Sequence, residues 1–261
     1  MSTHDTYARR LHELHKARTE FTSVFEGQPA ADLEFGYAVQ DRYLALLGLD
    51  GSPAGYKVGL TTARMQSMCG VDHPIVGAVL AERVHPSPAD IRVGDCTRLG
   101  MECEIAVRIG AALPAEGPEL SDPGFIAGRL DAVFAAFELI DDSNADYGRI
   151  YAASMVADNV WNAGLVLGPE APPSAIDDYA GLRCILSDAS GPIDEGVSRE
   201  VLGNPLLVVG WLAQRLHKSG RRLEPGQIVS TGSIIRTRFV QPGERYSFQV
   251  EGLPPAELAI S

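Results

Sequence analysis

The chain has 261 residues, 45% hydrophobic and 21% charged, enough for a buried core in one large domain or a main domain with a smaller lobe. Its net charge of −12 excludes a nucleic-acid surface, which needs a basic patch, and no apolar run approaches the ~20 residues of a membrane span. Met1 to Glu26 is charged throughout and lacks the apolar centre of a signal peptide, and Cys69, Cys96, Cys103 and Cys184 show no ligand or disulfide spacing, so the expectation is a cytoplasmic protein with reduced thiols.

In chain order, Tyr7, Leu11, Leu14 and Phe21 recur at helical intervals, which predicts a helix over Thr6 to Val24. A second is expected from Asp32 to Leu47. After the Gly- and Pro-containing break at Gly48 to Gly55 comes a short strand, Tyr56 to Leu60, and Thr61 or Thr62 can cap a third helix reaching Cys69. Residues 1–75 thus read as a small helical lobe. From Val76 the texture becomes short strands: Val76 to Leu80, Gly100 to Gly110, Trp161 to Leu167, Leu182 to Leu186, Gln227 to Thr231 and Tyr246 to Val250. Two helices interrupt them, one from Asp122-Pro123 towards Phe134 and one from Pro205 to about Gly220. The fold class expected is α+β, with 76–261 as the β-rich domain.

Strand alternation over Met101 to Ile109 puts Met101, Cys103, Ile105 and Val107 on one face and Glu102 and Glu104 together on the other. Two carboxylates so close repel unless a cation neutralises them or water solvates the face. Glu138 is the one charge in the apolar run Ala132 to Ile140, where a carboxylate is buried only if paired or bound to metal; the alternative is an element end pointing to water. Lys57 sits between Gly55 and Gly59, where a ligand can approach closely, and a lysine there can bind a carboxylate or move a proton. Ser230-Thr231-Gly232-Ser233 offers hydroxyls and amides to an anion, and Asp158-Asn159 reads as turn chemistry. There is no GxSxG, P-loop or GxGxxG.

The ordered set Tyr56-Lys57-Val58-Gly59-Leu60-Thr61, Gly70-Val71-Asp72-His73-Pro74, Glu102-Cys103-Glu104-Ile105-Ala106, Phe137-Glu138-Leu139-Ile140-Asp141, Ala157-Asp158-Asn159, Gly203-Asn204-Pro205 and Ser230-Thr231-Gly232 resembles the 2-keto-4-pentenoate hydratase / 4-oxalocrotonate decarboxylase group of the fumarylacetoacetase-like superfamily. The resemblance covers nearly the whole chain. It implies a helical lobe followed by a mixed β-roll domain, Mg²⁺ or Mn²⁺ at Glu102, Glu104 and Glu138, a 2-oxo acid substrate, and a homo-oligomer. It also implies that Lys57 is catalytic and that Lys57, Leu60, Asp158, Thr231 and Gly232 meet the substrate.

The activity implied is water addition to a 2-hydroxy-2,4-dienoate; the alternatives are decarboxylation of a 2-oxo-3-enedioate and an inactive metal-binding partner. Ile75, where hydratases of the group carry an acidic residue, points to the decarboxylase branch, whereas Gly232-Ser233-Ile234-Ile235-Arg236 is closer to the diene-dioate hydratases. Ser143 and Val160-Trp161 also depart from the group's pattern. Hydrolysis of an acylpyruvate would need a histidine base at the metal, for which His73 is the sequence candidate.

Overall fold

The computed structural model describes residues 2–22, 25, 32–49 and 51–261. The first helix, α1 (Thr3–Ala17), begins three residues before the expected start because Ser2 and Asp5 form a reciprocal capping box, and it ends where Arg18 turns left-handed. Val24, the expected end, lies outside the described residues. Asp32 caps α2 (Leu33–Leu46), Thr62 caps α3 (Ala63–Cys69), and Gly70 closes α3 in the left-handed conformation. Ala8, Leu11, Val39, Tyr43, Ala153 and Ala157 form the small core that joins α1 and α2 to α5 (Ala152–Ala157). Gly36 is required there, because a Cβ at that position would lie 2.6 Å from the carbonyl oxygen of Ala153.

The strands are β1 (Gly55–Gly59), β2 (Ile75–Val79), β3 (Val84–Pro86), β4 (Ala89–Ile91), β5 (Leu99–Ile109), β6 (Leu130–Asp141), β7 (Asn162–Leu167), β8 (Arg183–Asp188), β9 (Gly191–Val197), β10 (Ile228–Ser230), β11 (Ile235–Phe239), β12 (Arg245–Val250) and β13 (Ala256–Ile260). The remaining helices are α4 (Pro123–Ala127) and α6 (Pro205–Lys218). One eight-stranded mixed sheet has the order β2-β1-β10-β5-β6-β7-β3, with β11 also on β5; a five-stranded sheet has the order β4-β13-β12-β8-β9. The inner faces of the two sheets and α6 share one core that includes Met101, Ile105, Phe137, Phe248 and Leu212. Burying each such side chain stabilises the fold by roughly 1.5–3 kcal/mol. The α+β class holds.

Two expectations are corrected. The helix read from Pro123 towards Phe134 stops at Ala127, and Leu130–Asp141 is a twelve-residue strand. That strand is central and covered on both faces, so its sequence is a continuous apolar run instead of an alternation, and such a run does not distinguish helix from strand. The change of texture at residue 76 also does not mark the edge of the large sheet. β1, read as part of the helical lobe, pairs in parallel with β10 and antiparallel with β2 inside that sheet. Lys57 is therefore carried by the same sheet as the three glutamates.

Candidate metal centre

The register of the large sheet builds the centre. In the antiparallel pair of β5 and β6, Glu102 stands directly opposite Glu138, and Glu104 follows two residues on along the same face. β10 then aligns Ser230 with Ala106 of β5 and with Lys57 of β1, which brings the lysine to that face from the other side. One oxygen from each of Glu102, Glu104 and Glu138 lies within 4.8 Å of the others. This is the group of potential metal ligands found among the described residues, and it is composed of the three residues singled out in the sequence.

Glu104 and Glu138 are fully buried and Glu102 is partly exposed. Each carboxylate is oriented by one oxygen. Glu138 Oε1 receives Lys57 Nζ at 3.1 Å and the Asn162 amide at 3.1 Å. Glu104 Oε2 accepts the Ser230 hydroxyl at 2.6 Å and the Gly232 N–H at 2.8 Å. Glu102 Oε1 accepts the Thr237 hydroxyl from β11 at 2.5 Å. The other oxygens, Glu104 Oε1 and Glu138 Oε2, are buried with no hydrogen-bond partner. Leaving such groups unmet costs on the order of 1–3 kcal/mol each, more when they are charged. Two orphaned carboxylate oxygens beside a third carboxylate form an all-oxygen donor set, which suits a hard divalent cation. The residues present fit Mg²⁺ or Mn²⁺.

The protonation equilibria describe the same strain. Burial first, then the neighbouring Glu138 and Glu102, pushes Glu104 well above the usual carboxylate range. Burial raises Glu138 to about 7, against the opposing pull of Lys57. Burial alone would lower Lys57, but Glu138, Glu102 and Glu104 outweigh it and hold the ammonium above its ordinary value. Lys57 thus carries a positive charge facing three carboxylates, and a dication supplies the balance.

The remaining predicted residues fall in three places. Gly232 is at the cluster, with φ +118 and its would-be Cβ 2.4 Å from Thr61 Oγ1, so only glycine keeps this N–H on Glu104. Thr231 is buried behind it and donates its hydroxyl to the carbonyl of Ile105 at 2.8 Å. Leu60, left-handed at φ 56, belongs to an apolar group with Ile75, Ile140, Val160 and Trp161. Asp158 is buried, and its carboxylate is taken by His15 Nε2 at 2.6 Å. His73 lies with its ring 6.2 Å from that of Trp211 on α6 and is not in the ligand group. Ser143 sits in the turn after β6, where its N–H binds Asp141.

Sequence reasoning missed Asn162 and Thr237, and the anion it left unspecified for the 230–233 turn is, for Ser230, the Glu104 carboxylate.

The loop between α5 and β7 is strained. Asn159, Val160 and Trp161 all have left-handed φ values, of 51, 52 and 59. A single non-glycine residue in this region costs about 1–2 kcal/mol, and a β-branched one such as Val160 is an outlier. The loop is held by Asn159, whose side-chain amide exchanges two hydrogen bonds with the Ala78 backbone of β2. Strain of this kind concentrates at functional sites.

His15 and Asp158 tie α1 to this loop. Burial on its own lowers the His15 imidazolium, but the Asp158 carboxylate overcomes it and leaves His15 raised. The folded state therefore holds a proton that the unfolded chain releases near pH 6.5. The stabilisation is complete below that pH and is lost as pH rises through the raised folded value. His15→Asn should flatten the decline in melting temperature across that window; a decline as steep as that of the wild-type chain would show that the pair does not titrate.

With the geometry in place, the comparison with known proteins is direct. The profile of the fumarylacetoacetate (FAA) hydrolase C-terminal family matches residues 63–260. The chain belongs to this family. It is 28% identical to a 2-keto-4-pentenoate hydratase of Paraburkholderia phymatum over 98% of this chain and 97% of that one. It is 32% identical to a 2-oxo-hept-4-ene-1,7-dioate hydratase of Escherichia coli over 94% of this chain and 92% of that one. Among solved structures, the 4-oxalocrotonate decarboxylase from Pseudomonas putida G7, complexed with magnesium and adipate, superposes with a TM-score of 0.90 at 23% identity, covering 99% of this chain and 97% of that one. That likeness is one of fold. The family read from the motifs is the family found, and the curated relatives reported above are named as hydratases.

Proposed function

We propose that this chain is a divalent-metal-dependent hydratase that adds water to a 2-hydroxy-2,4-dienoate and releases a 4-hydroxy-2-oxo acid. The observation that carries the reading is the pair of orphaned oxygens, Glu104 Oε1 and Glu138 Oε2, beside Glu102, with the other oxygen of Glu138 held 3.1 Å from the buried Lys57 Nζ. Glu102, Glu104 and Glu138 would hold Mg²⁺ or Mn²⁺. When bound, the cation supplies electrophilic stabilisation to the negative charge that develops on a 2-oxo carboxylate.

The balance of the reaction is simple. The dienol O–H proton is lost and a proton is gained at the far carbon, giving the 2-oxo-3-enoate; hydroxide and a proton from one water then add at C4 and C3. Lys57 Nζ, kept protonated by its three carboxylate neighbours, is placed to attract the substrate carboxylate and to hand a proton to carbon. Asn162 and Ser230 hold Glu138 and Glu104 in orientation. By the family resemblance, Thr231, Gly232 and Leu60 would meet the substrate, and Asp158 would act through the loop that carries Trp161, whose backbone N–H it accepts on its own carbonyl at 2.9 Å. The free thiols, buried at Cys69, Cys103 and Cys184 and half-buried at Cys96, suit a reducing, cytoplasmic setting, and a homo-oligomer is the expected assembly. Among the described residues, no helix is long and apolar enough to cross a membrane.

Ile75 favours a second reading. It is fully buried opposite Gly59, two residues along β1 from Lys57, and puts an apolar wall where a hydratase of this group has an acid. In a decarboxylase that wall would desolvate a departing carboxylate. The deciding experiment supplies Mg²⁺ or Mn²⁺ and 2-hydroxypenta-2,4-dienoate, with 2-oxohex-3-enedioate in parallel. Metal-dependent loss of dienol absorbance without CO₂ establishes the hydratase; CO₂ from the dioate at a comparable rate establishes the decarboxylase.

A further inference from the structure

Three uncharged polar side chains brace the glutamates of the metal centre, and one of them is engaged at only one end. Ser230 and Thr237 give their hydroxyls to Glu104 and Glu102, and each has a single polar side-chain atom, which that bond engages. Asn162 gives its amide nitrogen to Glu138 Oε1 at 3.1 Å and has a second polar atom, Oδ1. The nitrogen is the end that faces Glu138, because an amide oxygen has no proton to give a carboxylate. Oδ1 is left buried without a donor. It joins Glu104 Oε1 and Glu138 Oε2, so three of the four orphaned buried side-chain atoms among the described residues belong to this one centre.

The residue that carries Oδ1 is tightly held. Asn162 stands opposite Ile140, two residues along β6 from Glu138, and is 5% exposed. Its backbone carbonyl accepts Arg83 at 2.9 Å. Lys57 Nζ is 3.1 Å from the same Glu138 oxygen as the Asn162 amide, so the two nitrogens are no further apart than twice that distance. A buried acceptor left unmet is destabilising, and native structures keep one where a water or a ligand completes it. What Oδ1 lacks is an O–H, at a place where a lysine can move protons.

Resting on the hydratase reading of the same site, we infer that Asn162 Oδ1 holds the water that adds to C4, and afterwards the 4-hydroxyl group of the product. With the substrate's carboxylate and keto oxygens at the three glutamates, C4 is two bonds beyond the keto carbon, within the span of a side chain that touches Glu138. One O–H of the water is given to Oδ1 while its oxygen lone pair forms the bond to C4. The C3=C4 pair becomes the C2=C3 bond of an enolate, which takes a proton at C3 from Lys57 Nζ as its C2=O reforms. The amine so formed takes the proton that the added water gives up, and the lysine ends as it began. Asn162 is no base; it sets the direction of attack, and one fixed acceptor gives the new hydroxyl one configuration.

The test uses the full-length chain with saturating Mg²⁺ and three ligands titrated calorimetrically: the two enantiomers of 4-hydroxy-2-oxopentanoate, and 2-oxopentanoate. One enantiomer should bind at least about fivefold more tightly than the other two ligands, the scale of one hydrogen bond, and Asn162→Leu should erase the difference. In D₂O, NMR separates ketonisation, which puts deuterium on C5 of 2-hydroxypenta-2,4-dienoate, from hydration at C4. Asn162→Leu should release 2-oxopent-3-enoate and lower the ratio of hydration to ketonisation by at least about tenfold. A side chain that only braces Glu138 would slow both steps alike. Equal binding of the three ligands by the wild-type chain overturns the inference without recourse to a variant, as does an unchanged ratio in Asn162→Leu. The activity reading fails separately. If one enantiomer is preferred through Asn162 but no dienoate is consumed, the hydroxyl site stands and the hydratase does not. If the dienoate is hydrated but the three ligands bind equally, the hydratase stands and the hydroxyl site does not.

Discussion

Glu104→Gln should abolish metal-dependent turnover, lowering kcat by at least about 10²–10³-fold, the scale seen when one preorganised electrostatic group is removed. The reason lies in the two oxygens of this side chain. Oε2 is satisfied by Ser230 and Gly232, and a glutamine carbonyl keeps both bonds. Oε1 is the buried orphan, and the amide NH₂ that replaces it donates to the neighbouring carboxylates. The substitution thus removes a ligand and a negative charge with almost no change of shape. Two consequences follow in opposite directions. Without metal the variant should melt higher than the wild-type chain, because burial and its like-charged neighbours already disfavour the ionised Glu104. Each kcal/mol relieved corresponds to roughly 2–4 °C in a chain of this size. On adding Mg²⁺ or Mn²⁺ the wild-type chain should gain stability by mass action, and the variant should gain little. Scanning fluorimetry with and without metal reads both effects. A variant that gains as much from metal as the wild-type chain would remove Glu104 from the ligand set.

The candidate ligand set was legible in the sequence because strand periodicity is local. Glu102 and Glu104, spaced by two within an alternating run, must share a face whatever the fold. Glu138 announced itself as a lone charge in hydrocarbon. What no local pattern contains is register. Nothing within Leu130–Asp141 says that Glu138 stands opposite Glu102, and nothing around Lys57 says that β1 enters the sheet next to β10. The family resemblance assigned these residues to one site but gave no register. The same run misled the fold reading, since a strand buried on both faces loses its alternation and its apolar stretch passes for a continuation of α4. Residues that act through others were the least visible. Asn162 and Thr237 are ordinary polar residues in strands, and their role exists only once Glu138 and Glu102 are opposite them. The left-handed run at Val160 and Trp161 is likewise a product of tertiary packing, for neither residue favours that conformation.

Lys57→Met should reduce both turnover and metal-free stability, and the two losses should respond differently to added metal. The lysine is 3% exposed and forms an ion pair with a glutamate that is fully buried. Removing one partner of a buried pair leaves the other uncompensated, at a cost of about 3–5 kcal/mol. Glu138 would keep only the Asn162 amide, with Glu102 facing it across the strand pair. The metal-free variant should therefore melt roughly 6–20 °C lower, by the same conversion of free energy to melting temperature. A bound dication neutralises the same carboxylates, so the gap should narrow when Mg²⁺ is present. Catalysis should not recover with it. The proton held on Nζ is gone, and loss of a positioned proton donor lowers kcat by about 10²–10⁴-fold. Lys57→Arg should fail to rescue, because the planar guanidinium is a different shape and retains its proton. The space is also closed: a Cβ on the neighbouring Gly77 would already be 3.0 Å from Lys57 Cγ. The decisive comparison is melting temperature and kcat for Lys57→Met at saturating metal. Recovery of stability without activity assigns the lysine to proton transfer; recovery of both would make it a charge balancer that the cation replaces; and a wild-type melting temperature without metal would mean that the buried pair contributes nothing.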